Sequence, residues 1–261
     1  MCTATSELFI GLTTFNHQYL SLSITGLSAL PRKFTLVIYN CNPNQPLRRR
    51  YIRRLGYRGR LHIINGTSPT GVFDARVAIV RHLEKSKISP KWFMFINDTD
   101  VLQSADVPTV SDTTCAVLQS RAVIRGGLLD VLRILQNPND YTIDGDNVVV
   151  SRPNLSMSGT LIRFNVLCDW VSAISNILPQ LSSAISSFVD TTNTITDTVM
   201  WSGFQIFLRQ TGNKTSPIYM DTVNMVSVGL DGCPCSATAL ERLVVITDAL
   251  IAGIAVAPCG Q

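Results

Sequence analysis

Four short apolar segments in the N-terminal part of the chain predict β-strands. They span 8–15, 34–40, 61–65 and 92–98, and each is rich in β-branched or aromatic residues. Short apolar runs of this composition are typical of strands that are buried on both faces of a sheet. We therefore expect four strands inside a sheet that other elements cover on both sides.

The segments between these strands are long enough to form crossover helices, at about 17–30, 46–56 and 71–87. The last of them carries an apolar stripe formed by Phe73, Val77, Val80 and Leu83. Strands that alternate with helices predict an α/β fold with a mainly parallel central sheet flanked by helices.

The alternation ends after residue 102. Beyond it the pattern favours helices at 126–136, 165–188 and 196–211, and strands at 147–151 and 158–164. We place a boundary near 103–115, which separates an N-terminal half, 1–102, from a less regular C-terminal half, 103–261. Because no linker rich in Pro, Gly or Ser marks this boundary, we expect one continuous globular domain.

Polar residues follow each of the four predicted strands. They are Thr13, Thr14 and Asn16 after the first, Asn40 and Asn42 after the second, residues 65–71 after the third, and Asp98 and Asp100 after the fourth. In parallel sheets, ligands bind beyond the carboxyl ends of the strands, where loops converge and helix N-termini offer free N–H groups. The sequence therefore predicts a cleft at this edge of the sheet.

Asp98 and Asp100 form an Asp-x-Asp pair directly after an apolar strand. Carboxylates in a dry place need a cation or several hydrogen-bond donors nearby. Two carboxylates at this spacing can share a Mg²⁺ or Mn²⁺ ion whose other ligands are diphosphate oxygens. The alternative is a pair that caps a helix or faces water in a turn.

In this context the sequence resembles nucleotide-sugar glycosyltransferases of the GT-A fold, most closely glycosyltransferase family 2. Four pieces match in order: GLTTFNHQYLSLSITGLSAL (11–30), LVIYNCNPN (36–44), GVFDARVAIV (71–80) and FMFINDTDVL (93–102). A weaker match is TDTVMWSGFQIFLRQTG (196–212), similar to the segment in which the family has Glu-Asp and a helix. The resemblance covers 8–102 well, 155–225 loosely and 103–154 not at all.

The resemblance implies a UDP- or GDP-type donor sugar, a divalent Mn²⁺ or Mg²⁺ cofactor, and an acceptor hydroxyl on a glycan, lipid or protein. It makes 1–102 the half that binds the nucleotide sugar and 103–261 the acceptor side. The residues it assigns to nucleotide-sugar binding are Thr13, Thr14, Asn16, Asn40, Gly71, Arg76, Asp98 and Thr99. It further implies that Asp98 contacts the ribose and Asp100 the metal, with Asp98 as a second metal residue.

The resemblance also makes Asp197 the general base that takes the proton of the acceptor hydroxyl, which favours inversion at the anomeric carbon. Asp197 also directly precedes an apolar segment, so it could equally serve as the N-cap of a helix. The two roles are compatible, and both stay open.

The chain departs from the family pattern at several positions. Asn40 stands where the family usually has an aspartate, Val77 follows Arg76 in place of asparagine, and Thr196 replaces the glutamate before the catalytic aspartate. No histidine follows His82, so a late metal-binding histidine of some relatives is missing. A second Asp-x-Asp pair, Asp144 and Asp146, lies among turn-forming residues and is interpreted as a turn rather than a rival metal site.

Positive charge is concentrated in one segment of the chain. The formal net charge is +4, and seven arginines fall between Arg48 and Arg60. Leu47, Tyr51 and Leu55 recur every fourth residue there, which favours a helix with one packed face and a solvated arginine face. The alternative is a surface for anionic lipid or a phosphorylated acceptor, or a noncatalytic protein that binds nucleic acid or an anionic surface. Nucleic acid is not favoured, because few aromatic residues accompany the arginines.

The rest of the composition indicates an ordinary folded protein. The 261 residues are 46% hydrophobic and 15% charged. The seven cysteines form no regular framework and the N-terminus has no signal-peptide pattern, so we expect free thiols and a cytoplasmic setting. Cys233 and Cys235 lack the partners of a zinc site. The apolar stretch 243–258 is too short to span a membrane and contains Asp248, which favours a buried helix; a peripheral membrane contact is the alternative.

The predicted function is therefore a metal-dependent glycosyltransferase that uses a nucleotide-diphosphate sugar. A nucleotidyltransferase would share the sheet and the acidic pair, and would release pyrophosphate rather than a nucleoside diphosphate.

Overall fold

The computed structural model describes residues 8–15, 17–30, 33–98, 100–102, 116–125, 141–144, 147–150, 157–173, 203–205, 207–213 and 215–227. Its helices are α1 (His17–Ala29), α2 (Arg49–Arg54) and α3 (Val72–Lys85), and residues 164–173, 203–205 and 207–210 are also helical. Its strands are β1 (Leu8–Thr14), β2 (Thr35–Asn40), β3 (Arg60–Asn65), β4 (Trp92–Asn97), β5 (Asp100–Leu102), β6 (Val117–Arg125), β7 (Tyr141–Asp144), β8 (Asn147–Val150), β9 (Leu161–Arg163) and β10 (Thr215–Ser227).

The described strands form one mixed sheet. Its order is β3-β2-β1-β4-β9-β6-β10-β5, with β8 pairing with both β6 and β7. The first four strands in this order are parallel to one another, and β9 then runs antiparallel to β4 and β6. Strands β1 and β4 pair from Leu8 opposite Trp92 to Thr13 opposite Asn97, so their carboxyl ends lie side by side.

Successive side chains of a strand point to opposite faces of the sheet, so the core is divided into two layers. On one face, Phe9, Val37, Phe93 and Phe95 pack with α3 and with the helical residues 164–173. On the other face, Ile10, Leu12, Leu36 and Met94 pack with α1 and α2. Both faces of β1, β2 and β4 are therefore buried, as their apolar composition predicted. Strand β3 lies at the edge of the sheet and fully buries only Leu61, so the prediction of burial on both faces is wrong for this strand.

The predicted α/β architecture is confirmed, and the four N-terminal strands lie within a residue or so of their predicted bounds. The predicted helix 46–56 is shorter, because only Arg49–Arg54 is helical. The strand predicted at 158–164 is limited to Leu161–Arg163, because the chain turns into a helix at Phe164. Asp144 pairs with Asn147 across the antiparallel β7–β8 pair, and Asp146 lies outside the described residues.

Several predictions fall on residues outside those that the structure describes. They are the helix at 126–136, the boundary at 103–115, the C-terminal stretch 243–258, and Cys233 with Cys235. Within the described part of the chain, Cys41 and Cys168 are free thiols. No helix in that part is both long enough and apolar enough to cross a membrane.

Candidate functional site

A cavity of about 630 Å³ lies at the carboxyl ends of β1, β2 and β4, where the sequence predicted a cleft. Its lining is Thr13, Thr14, Phe15, Cys41, Pro69, Thr70, Gly71, Val72, Asn97 and Asp98. Parallel pairing of β1 with β2 and β4 brings three strand ends together, and the N-terminus of α3 closes one side. A cleft of this size is within the range of small-molecule and cofactor sites.

Asp98 is the acidic residue that lines this cavity. Its Oδ2 accepts a hydrogen bond from Thr14 Oγ1 at 2.7 Å and from the Phe15 N–H at 3.3 Å. Its own N–H donates to the carbonyl of Thr13 at 3.1 Å. Three contacts with the end of β1 thus hold a half-buried carboxylate in one position at the cavity.

Asp100 is placed differently. Its side chain is 2% exposed, and its Oδ2 accepts a 2.8 Å hydrogen bond from the Asn97 N–H. From α1, Ser23 Oγ lies 2.6 Å from the Asp98 carbonyl and 2.7 Å from that of Asp100. Asp100 therefore closes the turn that presents Asp98, and it does not line the cavity.

Arg76 also lies behind the cavity, with none of its surface exposed. Its Nη2 donates to Ser158 Oγ at 2.7 Å and to Asn97 Oδ1 at 3.2 Å, and the guanidinium lies over the ring of Phe95. Asn97 Oδ1 in turn accepts from Thr13 Oγ1 at 3.2 Å. The positive charge of Arg76 therefore supports the ends of β1 and β4 from beneath.

Asn40, at the end of β2, is fully buried. Its amide nitrogen lies within 3.0 Å of the carbonyls of Asn42 and Gln45 and of Asn65 Oδ1. Its Oδ1 accepts from the Asn42 N–H at 3.2 Å and lies 3.4 Å from a ring nitrogen of His17. The amide thus organises the loop between β2 and α2, and the cavity lining does not include it.

The N-terminus of α3 is open at the cavity. Gly71 is the N-cap with φ −70° and ψ 162°, and as a glycine it supplies no side-chain cap to the first turn. A Cβ at Gly71 would meet nothing within 4 Å. The first-turn N–H groups of this helix of 14 residues therefore favour an anion at the cavity.

Cys41 was not predicted as a site residue, although it lines the cavity. Burial, and next the negative charge of Asp98, raise the pKa of its thiol from 9.0 to about 11. The thiol is therefore protonated at neutral pH and is not a nucleophile. Phe15 and Asn97 were also missed; the only signal was their position beside residues that were predicted.

The oxygen atoms at the cavity suit a hard cation that takes its remaining ligands from a bound substrate. Asp98 supplies carboxylate oxygen, and Mg²⁺ is commonly held by one or two carboxylates together with substrate phosphates and water. Within the described ranges, no three His, Cys, Asp or Glu side chains form a group that could hold a metal by itself. The residues present therefore fit an ion that arrives with a diphosphate.

The structure thus brings together Thr13, Thr14, Gly71 and Asp98 at one cavity, and places Asn40, Arg76 and Asp100 in the layer behind it. Asn16, Thr99 and Asp197 lie outside the residues that the structure describes.

No family model matches this chain, and no curated protein matches it. Among solved structures, S. aureus TarS 1-349 has a TM-score of 0.54 and 12% identity, over 97% of this chain and 66% of that chain. S. aureus TarS has a TM-score of 0.49 and 11% identity, over 95% of this chain and 42% of that chain. The mannosyltransferase PcManGT from Pyrobaculum calidifontis, in complex with GDP-Man and Mn²⁺, has a TM-score of 0.47 and 11% identity. The match covers 99% of this chain and 77% of that chain.

The chain thus spans less than two thirds of the length of either TarS structure. At 12% identity, the likeness to TarS 1-349 concerns the fold. The fold is GT-A-like, as the sequence predicted.

Proposed function

We propose that this chain is a glycosyltransferase that binds a nucleotide-diphosphate sugar in the cavity at Asp98 and transfers the sugar to an acceptor hydroxyl. The observation that carries the proposal is the position of Asp98. Thr14 and Phe15 fix its carboxylate at the carboxyl end of β4, in the same cavity as the open N-terminus of α3. This cavity therefore offers both a carboxylate and N–H groups for one ligand.

The two ends of a nucleotide diphosphate match the two kinds of lining. The N–H groups at the start of α3 suit the diphosphate, because the helix dipole and the free donors both favour negative charge. Phe15 is 57% exposed at the cavity, so its ring is available to stack on a base. The Thr13 and Thr14 hydroxyls donate to Asn97 and Asp98, and both residues line the cavity on the side where the ribose hydroxyls would lie.

Asp98 would hold a Mn²⁺ or Mg²⁺ ion, and such an ion would supply positive charge that stabilises the nucleoside diphosphate as it leaves the anomeric carbon. The resemblance to family 2 also makes Asp100 a metal ligand. Because Asp100 is 2% exposed and accepts from the Asn97 N–H, we propose that it acts mainly by holding the turn that presents Asp98. Arg76 likewise acts as a positioning residue through Asn97 and Ser158.

The acceptor hydroxyl needs a base near the anomeric carbon, and a positioned carboxylate supplies about 10²- to 10⁴-fold in rate. By the resemblance this base is Asp197, and inversion of the anomeric carbon follows from that role. We propose that the acceptor is a hydroxyl group on a glycan, a lipid or a protein.

Binding of UDP and GDP to the purified chain, measured by calorimetry with and without Mn²⁺, tests the proposal. We expect one of them to bind, more tightly with Mn²⁺, and to lose affinity in Asp98→Asn. Asp169→Asn is the matched control, because Asp169 is exposed on the helical segment 164–173 and is not at the cavity. If neither nucleotide binds, or both variants bind like the wild type, the proposal is wrong.

A nucleotidyltransferase would use the same cavity, so products must separate the two reactions. Incubation with nucleotide sugars and candidate acceptors should release a nucleoside diphosphate. Release of pyrophosphate from a nucleoside triphosphate and a sugar phosphate would instead identify the nucleotidyltransferase.

A further inference from the structure

A second cavity, of about 1150 Å³, lies at the amino ends of β2 and β3, whereas Asp98 lies at the carboxyl ends of the parallel strands. It is lined by the carboxyl end of α1, the start of β2, α2 and the start of β3. Five of its lining side chains are cationic, namely Lys33, Arg49, Arg53, Arg58 and Arg60. We call this cavity with its five cations the basic groove. Strand β2 separates it from the cavity at Asp98 by about 20 Å, at about 3.3 Å per residue.

Among the described residues, the lining of the basic groove contains no carboxylate. The sequence from Leu8 to Phe73 contains nine Arg or Lys residues and no Asp or Glu. Like charges that are brought together repel, so this arrangement lowers stability unless something anionic binds. The carboxyl ends of α1 and α2 attract some positive charge, but Lys33, Arg58 and Arg60 come from other segments.

Three of the arginines are held in place by backbone carbonyls. Arg49 Nη2 donates to Leu61 O at 2.7 Å, Arg53 Nη1 to Tyr57 O at 2.9 Å, and Arg58 Nη1 to Arg53 O at 2.9 Å. A guanidinium has five N–H donors, so each of these bonds leaves most of the donors for a ligand. Fixed arginines lose less entropy when they bind, which raises their affinity for phosphate.

The conformation of the turn that joins α2 to β3 places Arg58 and Arg60 at the groove. The buried Tyr57 hydroxyl lies 3.0 Å from Phe34 O and 3.1 Å from Arg60 O, which ties the start of β2 to the start of β3. A Cβ at Gly59 would collide with the Tyr57 ring, so only glycine lets the chain pass there. The close passage brings Arg58 and Arg60 to the groove from either side.

We propose that the basic groove is a binding site for a ligand that carries several phosphate groups. Phosphate matches the forked geometry of guanidinium groups. The aromatic residues of the groove, Phe34 and Tyr57, are 5% and 3% exposed and pack against each other, so they are not available to stack on bases. The recognised chemistry is therefore several phosphates close together, on one soluble molecule or on neighbouring headgroups of a lipid surface.

Sodium tripolyphosphate, titrated into the purified chain by calorimetry at about 0.15 M salt, where the Debye length is about 8 Å, tests the site. The groove variant is Arg58→Gln with Arg60→Gln. The matched control is Arg50→Gln with Arg54→Gln, which removes two exposed arginines of α2 that do not line the groove. Thermal melts establish that both variants are folded.

We expect the wild type to bind, the groove variant to bind at least about tenfold more weakly, and the control to change less than about twofold. Equal losses in the two variants, or no binding by the wild type, would overturn the proposal. So would tighter binding of a single-stranded oligonucleotide at equal phosphate concentration. The test uses no nucleotide sugar, so its failure leaves the proposed glycosyltransferase untouched.

Vesicles identify the source of the phosphates. Phosphatidylcholine vesicles with and without phosphatidylglycerol are sedimented with the wild type and the groove variant. Sedimentation that needs both phosphatidylglycerol and the two arginines identifies a lipid headgroup. Tripolyphosphate binding without such sedimentation identifies a soluble phosphorylated ligand.

Discussion

Thr14 and Asp98 stand at the ends of the paired parallel strands β1 and β4, and Thr14 Oγ1 donates a 2.7 Å hydrogen bond to Asp98 Oδ2. The two residues are 84 positions apart in sequence. A hydrogen bond to a charged group is worth about 1.5–3 kcal/mol, which is enough to fix the direction of a carboxylate. The position of Asp98 at the cavity therefore depends on a hydroxyl of the neighbouring strand.

Replacement of that hydroxyl should weaken nucleotide binding. In Thr14→Val the shape of the side chain is kept and the donor is lost, so we expect about a tenfold loss of affinity for the nucleotide that the wild type binds, or about 1.4 kcal/mol. Thr14→Ser keeps the donor and should bind within about twofold of the wild type. Calorimetric titration measures both. Equal affinity of the valine and serine variants would contradict a role for this bond.

The carboxylates of Asp98 and Asp100 should respond differently to the loss of charge. Asp100→Asn retains an oxygen that can accept from the Asn97 N–H, so the turn should hold and Mn²⁺-dependent nucleotide binding should survive. Asp98→Asn places a neutral amide at the cavity and should abolish the Mn²⁺ dependence. Nucleotide titrations with and without Mn²⁺ separate the two. Loss of the Mn²⁺ effect in Asp100→Asn would show that Asp100 is itself a ligand.

These two aspartates also show what the sequence could and could not predict. The apolar runs determined the four strands, since strands that are buried on both faces leave a local pattern. That the polar residues meet at the carboxyl ends followed from the parallel sheet. Which carboxylate faces the cavity depends on the path of one turn, and no periodicity records it.

The sequence could not predict that Asn40 and Arg76 are buried structural residues, for a related reason. Arg76 contacts Ser158, which is 82 residues away and follows a long segment without a readable pattern. Asn40 is used by loop carbonyls and by Asn65 on the adjacent strand. A polar residue that follows a strand has the same sequence pattern whether its side chain binds a ligand or forms buried hydrogen bonds within the protein. Only the three-dimensional partners separate the two.

Gly11 in β1 is required by the close packing of β4. A Cβ at this position would lie 2.6 Å from Cζ of Phe93, whose ring packs against Phe95. Both rings are fully buried, so Gly11→Ala should lower the free energy of unfolding by about 1–3 kcal/mol. Gly71→Ala is the control, since its Cβ meets nothing within 4 Å and its φ of −70° suits alanine. Urea unfolding measures both, and an equally stable Gly11→Ala variant would show that the rings can move.

The Cys41 thiol should make the protein less stable at high pH. Burial and the charge of Asp98 raise its pKa from 9.0 to about 11, so the folded state holds the proton more tightly than the unfolded state does. The contribution to stability is therefore complete below pH 9 and is lost as the pH rises towards 11. In Cys41→Ala the decline in unfolding free energy over this window should be shallower. Because burial also raises the pKa of Cys168 to about 12, the comparison is made in a Cys168→Ala background.

Arg76 and Ser158 should act as one unit that supports the cavity from behind. Each single change, Arg76→Met or Ser158→Ala, removes the 2.7 Å bond between them and leaves a buried polar partner behind. Such a loss costs about 1–3 kcal/mol of unfolding free energy. Both changes remove the same contact, so the two effects should not add, with a coupling energy of about 0.5–3 kcal/mol. Urea unfolding of the wild type, both single variants and the double variant gives this coupling directly. If the two effects simply add, the contact between Arg76 and Ser158 contributes no coupling energy to the support of the strand ends.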